Sequence, residues 1–81
     1  MKIGFAAIAW KQWQKLPKLT RVRLETKLVK LVENPLGNSK KLVDSTIGEY
    51  RFRIGDYRVV FDLKKDEIVI MAVGHRKDIY K

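Results

Sequence analysis

Hydrophobic positions recur at three- and four-residue intervals in the first half of the chain and alternate in the second, which divides it into a helical part and a strand part. Lys2–Phe5 suits a short strand. Ala6, Ala9, Trp10, Trp13 and Leu16 share one helical face, predicting a helix from Ala6 to Leu16 with both tryptophans toward the core. Pro17 disfavours helix at the residue before it. Thr20 is expected to cap a second helix running to about Glu33. Leu24, Leu28, Leu31 and Val32 form its apolar stripe, and Arg21, Arg23, Lys27 and Lys30 lie around the rest. The turn residues of Asn34–Ser39 predict a loop. Lys40–Val43 follows, and Asp44–Gly48 is a connector.

Glu49–Asp62 is the most legible stretch. Two alternating runs flank Gly55-Asp56, a two-residue hairpin signal. That turn sets the register: Ile54 opposes Tyr57, Arg53 opposes Arg58, Phe52 opposes Val59, Arg51 opposes Val60 and Tyr50 opposes Phe61. One face is then apolar or aromatic throughout (Tyr50, Phe52, Ile54, Tyr57, Val59, Phe61) and must cover the helices. The other carries Arg51, Arg53 and Arg58. Like charges directly opposite one another destabilise a sheet, so Arg53 across from Arg58 has no folding rationale. An anion held between them supplies one, since a guanidinium fork matches phosphate. Neutralisation by Glu49, Asp62 or another nearby acid is the structural alternative. On the repulsion argument alone, Arg53→Ala and Arg58→Ala should leave the fold intact or more stable.

Lys64–Glu67 reads as a polar turn. Ile68–Val73 is apolar on both alternating faces and reads as a central strand between the hairpin and the first strand. If that strand continues, Ala72, Gly74 and Arg76 share one face and Val73 and His75 the other.

Charge narrows the class. Lysine and arginine number 18 against 9 acids in 81 residues, a net charge of +9. Such an excess points to a polyanionic partner, whether nucleic acid, an acidic protein or a membrane surface. The first half carries diffuse lysines, whereas the nearly balanced second half holds four of the six arginines. A chain of this length forms one domain, residues 1–81. It lacks cysteine, which rules out disulfides, thiolate zinc sites and a cysteine nucleophile and favours a cytoplasmic home. The apolar start, Ile3–Trp10, is too short and too soon interrupted for a signal peptide or membrane span. Glycine-rich phosphate loops, HExxH and GxSxG are absent. One histidine and scattered acids give no metal-ligand pattern, so neither metal nor cofactor is expected.

The segment Glu49–Phe61 (EYRFRIGDYRVVF) followed by Val73–Tyr80 (VGHRKDIY) resembles the RelE family of toxin–antitoxin toxins. The preceding order also fits: strand, helix, Leu16-Pro17, second helix, Asn34-Pro35, Lys41-Leu42. The resemblance implies an α+β fold, two N-terminal helices on one face of a four-stranded, mostly antiparallel sheet (β-α-α-β-β-β). It implies a cognate antitoxin partner, and a ribosome-dependent, metal-independent endoribonuclease that cuts mRNA in the A site through attack of the ribose 2′-hydroxyl. The family's catalytic pattern falls on Arg51 and Arg53, Arg58, Arg76 and Tyr80. Arginines replace the lysine pair of the RelE prototype, His75 replaces another base, and Arg76 and Tyr80 lie two residues closer together.

Chemistry suggests the roles. Arg53 and Arg58 grip the scissile phosphate, and Arg51, Lys40, Lys41 and Lys77 hold neighbouring RNA. Arg76 stabilises the leaving 5′-oxygen, and Tyr80 stacks on a base or orients the nucleophile. His75 is the better acid–base by chemistry, because an imidazole titrates near neutrality, but it sits on the opposite face. Two alternatives stand beside this reading: a ParE-like toxin acting on DNA gyrase, and a non-catalytic nucleic-acid-binding module.

Overall fold

A computed structural model describes residues 2–43 and 45–79. Its elements are β1 (Lys2–Phe5), α1 (Ala7–Lys15), α2 (Lys18–Leu31), β2 (Lys40–Lys41), β3 (Tyr50–Ile54), β4 (Tyr57–Lys64) and β5 (Glu67–His75). They form one sheet in the order β1-β5-β4-β3-β2. Among the described strands only the β1–β5 pair is parallel. The α+β class holds, with five strands rather than four. The extra one is the two-residue β2, which pairs Lys40 with Arg51 and Lys41 with Tyr50. Two consecutive lysines carry no alternation, so sequence pattern is silent there. β5 lies between β1 and β4, as its two apolar faces require.

Local chemistry explains the helix ends. Leu16 is extended (ψ 145°) ahead of Pro17, as the proline ring demands. Pro17 itself starts α2: its φ is −56°, and its carbonyl accepts the first helical bond from the Arg21 N–H at 3.0 Å. Thr20, the expected cap, is therefore already inside the helix. A proline at this boundary needs no partner for an N–H it lacks, and no side chain caps the end. At the other end the Asn38 side-chain amide donates to the Leu31 carbonyl at 3.1 Å.

The core lies between the helices and one sheet face. Ala9, Leu24 and Leu28 meet Phe52, Ile54, Val59, Phe61, Ile68, Ile70 and Val73. Phe52 and Phe61 are fully buried and stacked, with centroids 4.3 Å apart. Trp13 is half-buried against this cluster, but Trp10 is 47% exposed, contrary to its expected core position. It lies edge-on to Phe5 at the rim, 5.3 Å between centroids. Helical spacing put both indoles on one face, and the outer lies beyond the reach of the sheet.

A second, smaller cluster covers the opposite sheet face, which alternation alone had left to the arginines. Val60, Ala72 and Ile79 are buried there, with Leu42, Ile47 and Met71 packed against them. The connector can approach because Gly48 has no side chain; a Cβ there would lie 2.7 Å from Val60 Cγ1. Asp62 Oδ1 accepts the Glu49 N–H at 2.9 Å and pins the connector's end. Among the described residues no helix is long and apolar enough to cross a membrane.

α1 also completes the sheet. β1 ends at Phe5, opposite Ile70, so β5 loses its strand neighbour on that side. Gln12 reaches across, and its Oε1 accepts the Val73 N–H at 2.9 Å. Gln12→Leu removes that acceptor from a buried N–H and should cost about 1–3 kcal/mol. Gln14→Leu, on the exposed side of the same helix, should stay within about 0.5 kcal/mol. Urea unfolding of the two variants checks the difference.

Candidate nucleic-acid interface

The hairpin creates the site. Gly55 takes a positive φ of 57°, a conformation glycine adopts without strain, and the two-residue turn follows. All five expected β3–β4 pairs form, Arg53↔Arg58 among them. β5 continues the rows, with Gly74 opposite Arg58 and His75 opposite Tyr57. On the face away from the helices, one row therefore reads Arg53, Arg58, Gly74 and the next reads Lys40, Arg51, Val60, Ala72. The apolar cluster covers the inner end of the second row, so basic groups concentrate near the hairpin tip and at the β2–β3 edge.

The arginines differ in setting. Arg53 is exposed and Arg51 half-buried. Arg58 is only 6% exposed. Its Nη1 donates to the carbonyls of Gly55 and Tyr57, both at 2.9 Å. The like-charge pair is thus eased from one side: Arg58 folds onto the turn's own carbonyls, which accept part of its charge. Sequence alternation placed Arg58 on this face but did not show that it braces the turn.

Arg76 reaches the tip from β5. Its backbone N–H donates to the Asp56 carbonyl at 2.7 Å, and its Nε lies 3.6 Å from Asp56 Oδ1. Both side chains are more than half exposed, so the ion pair contributes little stability. It nevertheless directs the guanidinium toward the turn. Asp56 thus has a role that its turn signal did not suggest, although running the Tyr57↔His75 register one step further leads to it.

The remaining basic candidates separate. Lys40 shares the row of Arg51, whereas Lys41 pairs with Tyr50, whose row lies on the helix face. Lys77 is exposed in the turn after β5. His75 is half-buried on the helix face, its ring edge-on to Tyr57 at 5.7 Å; β5 ends there, and Arg76 lies in the turn that follows. Tyr80 lies outside the described residues. Among the described residues no three His, Asp or Glu side chains gather to hold a metal. What the face offers is fixed positive charge and planar donors, suited to a phosphodiester.

Residues 3–80 match the family described as the ParE toxin of the type II toxin–antitoxin system, parDE. The chain belongs to that family. Toxin RelE3 of Methanocaldococcus jannaschii is 32% identical over an alignment covering 99% of this chain and 96% of that protein. Among solved structures, the RelBE2 toxin–antitoxin complex of Mycobacterium tuberculosis aligns with a TM-score of 0.79 at 27% identity, covering 93% of this toxin and 96% of that chain. The isolated E. coli RelE toxin aligns at 0.72 and 29%, covering 91% and 82%. The protein is therefore a type II toxin of the RelE/ParE superfamily, with the RelE-like arrangement of two helices on a sheet.

For this toxin the two facing arginines should respond differently to truncation. Arg58→Ala removes a buried donor from two turn carbonyls and should lose about 1–3 kcal/mol, against the expectation from charge repulsion alone. Arg53→Ala should be neutral to slightly stabilising, within about 0.5 kcal/mol. Equilibrium unfolding of both at matched ionic strength separates the bracing role from the repulsion.

Proposed function

We propose that this toxin is a ribosome-dependent, metal-independent mRNA endoribonuclease that inhibits translation in the cytoplasm. One observation carries the reading: Arg53 and Arg58 stand opposite one another on the face away from the helices, and Arg76 pairs with Asp56 in the turn that joins their strands. In the proposed reaction a ribose 2′-hydroxyl attacks the adjacent phosphorus. The O2′–P bond forms, the P–O5′ bond breaks, the 2′ proton is lost, and the leaving 5′-oxygen gains a proton. The products are a cyclic phosphate and a 5′-hydroxyl.

The side chains act mainly on charge and alignment. Arg53, exposed, engages the scissile phosphate. Arg58, held on the turn carbonyls, supplies a fixed positive charge beneath it. Arg76 stabilises the leaving oxygen, although a guanidinium is a poor proton donor. Tyr80 stacks on a base or orients the nucleophile. Arg51, Lys40 and Lys77 hold flanking phosphates; Lys41, paired with Tyr50 on the other face, contributes only to the field at the sheet edge. The ribosome positions the message.

A cognate antitoxin is the second partner, supported by the solved relatives, which include toxin–antitoxin complexes. The outward side of α2 suits it. Leu19, Val22 and Val29 are 82%, 52% and 59% exposed and follow one another at helical spacing with Thr26 between. Lys18, Arg23 and Lys30 flank them. An acidic, partly disordered segment that folds against this stripe satisfies both the apolar row and its basic border. Its affinity should fall as salt rises; binding that ignores salt would contradict the electrostatic part.

The ParE family match favours a second reading, a toxin acting on DNA gyrase. Inducing the protein and mapping mRNA 5′ ends separates the two. Cuts inside translated codons support the nuclease, while intact mRNA with gyrase-dependent DNA damage supports the alternative. In single-turnover cleavage of ribosome-bound mRNA, Arg76→Ala should fall about a hundredfold or more, the scale of losing one preorganised donor. Arg53→Ala should abolish growth arrest. Tyr80→Ala should be severely impaired and His75→Gln much less so.

A further inference from the structure

His75 accepts three hydrogen bonds from the turn that follows it. Its carbonyl accepts the backbone N–H groups of Asp78 at 2.9 Å and Ile79 at 3.1 Å. Its side-chain Nδ1 accepts the Lys77 N–H at 3.2 Å. Between these contacts lies Arg76, whose N–H is fixed to Asp56. Beyond them Ile79 drops into the apolar cluster on the arginine face. The whole reversal from β5 onto that face is therefore gathered around one residue whose ring points the other way. A side-chain acceptor taking the N–H two residues on is the geometry of an Asx turn, with an imidazole nitrogen in the place of a carboxamide oxygen.

We propose that His75 is a positioning residue for Arg76, a proton-sensitive latch that closes the turn 75–79 while Nδ1 is unprotonated. This rests on the nuclease reading only for its consequence in catalysis; the latch itself is a property of the free chain. Nδ1 accepts the Lys77 N–H only with its lone pair exposed, so the closed turn requires the neutral tautomer that carries hydrogen on Nε2. Protonation sets N–H against N–H and removes the bond. The ring lies edge-on to Tyr57, a contact that does not use Nδ1 as an acceptor.

The charged surroundings do not replace the latch. The imidazole borders a hollow of 330 Å³ shared with Gln12, Lys15 and Leu16 of α1, Tyr57 of β4, and Asp78 and Ile79 of the turn. Lys15 and Lys77 oppose a positive ring and Asp78 favours one; Arg76 and Asp56, at the tip, are occupied with each other. Gln12 is held by the Val73 N–H. The turn is therefore closed while the ring is neutral and loosens when the ring is protonated, leaving Arg76 held to the hairpin tip by Asp56 alone.

The test is an NMR titration of the free toxin, read at the His75 ring nitrogens and the Lys77 amide. In the neutral ring Nδ1 should be unprotonated and Nε2 protonated. As the ring charges, the Lys77 amide should shift along the same curve and exchange with solvent about fivefold faster, the scale of one net hydrogen bond. His75→Asn keeps an acceptor near the Nδ1 position but does not titrate, so the Lys77 amide should stay protected at all pH values. His75→Phe keeps the ring on Tyr57 without the acceptor and should show the fast-exchange state throughout. A neutral ring that carries its hydrogen on Nδ1, or a Lys77 amide blind to the titration, overturns the latch whether or not the protein cleaves RNA. In cleavage, the wild-type rate should fall toward acid pH and the His75→Asn rate should not. If His75→Asn keeps its Lys77 amide protected yet loses cleavage as completely as Arg76→Ala, His75 acts on the reacting atoms and the positioning role is wrong.

Discussion

The register of one two-residue hairpin governs this molecule. Gly55 admits the left-handed backbone that a tight turn between β3 and β4 requires. Because side chains alternate strictly, that turn decides which residue of every pair meets which. A slip of one position would bury arginines against the helices and expose Phe52 and Phe61. The aromatic stack in the core and the row of guanidinium groups on the other face are thus two results of the same constraint.

The tip that carries the arginines is also held by them. The Arg58 guanidinium donates to the carbonyls of Gly55 and Tyr57, the Arg76 backbone N–H donates to the Asp56 carbonyl, and the Arg76 side chain pairs with the Asp56 carboxylate. Charge that would otherwise repel across the strands is spread over the turn's own acceptors. The arrangement couples fold to chemistry: donors are held in place before any anion arrives, which is the preorganisation that the proposed cleavage would draw on. Gly48 and Ile79 bound the site on the same face. They let the connector and the C-terminal turn seal Val60 and Ala72, which leaves a compact basic zone at the tip.

Much of this was legible in the chain. Alternation about Gly55-Asp56 is a local signal, and it yielded every β3–β4 pair; the apolar run Ile68–Val73 placed β5 in the sheet interior. Features made by contacts distant in sequence were not legible. β2 exists only because β3 offers it an edge. The start of α2 followed proline's backbone rather than the threonine three residues later. The second apolar cluster joins Leu42, Ile47, Val60, Met71, Ala72 and Ile79, which share no periodicity. The site followed the same rule: alternation assigned Arg53, Arg58 and Arg76 to one face and His75 to the other, while the burial of Arg58 and the partnership of Arg76 with Asp56 needed three dimensions.

The central claim is that the face away from the helices receives a phosphodiester at the hairpin tip. The most direct measurement is a structure of the toxin on a translating ribosome whose message carries 2′-deoxy sugar at the A-site codon, so that the attacking hydroxyl is missing and the complex persists. The account predicts the phosphate after that sugar within hydrogen-bond reach of the Arg53 guanidinium, with Arg58 beneath it and Arg76 toward the 5′-oxygen. A message lying along α1 and α2, or a toxin that fails to engage the ribosome at all, would contradict it.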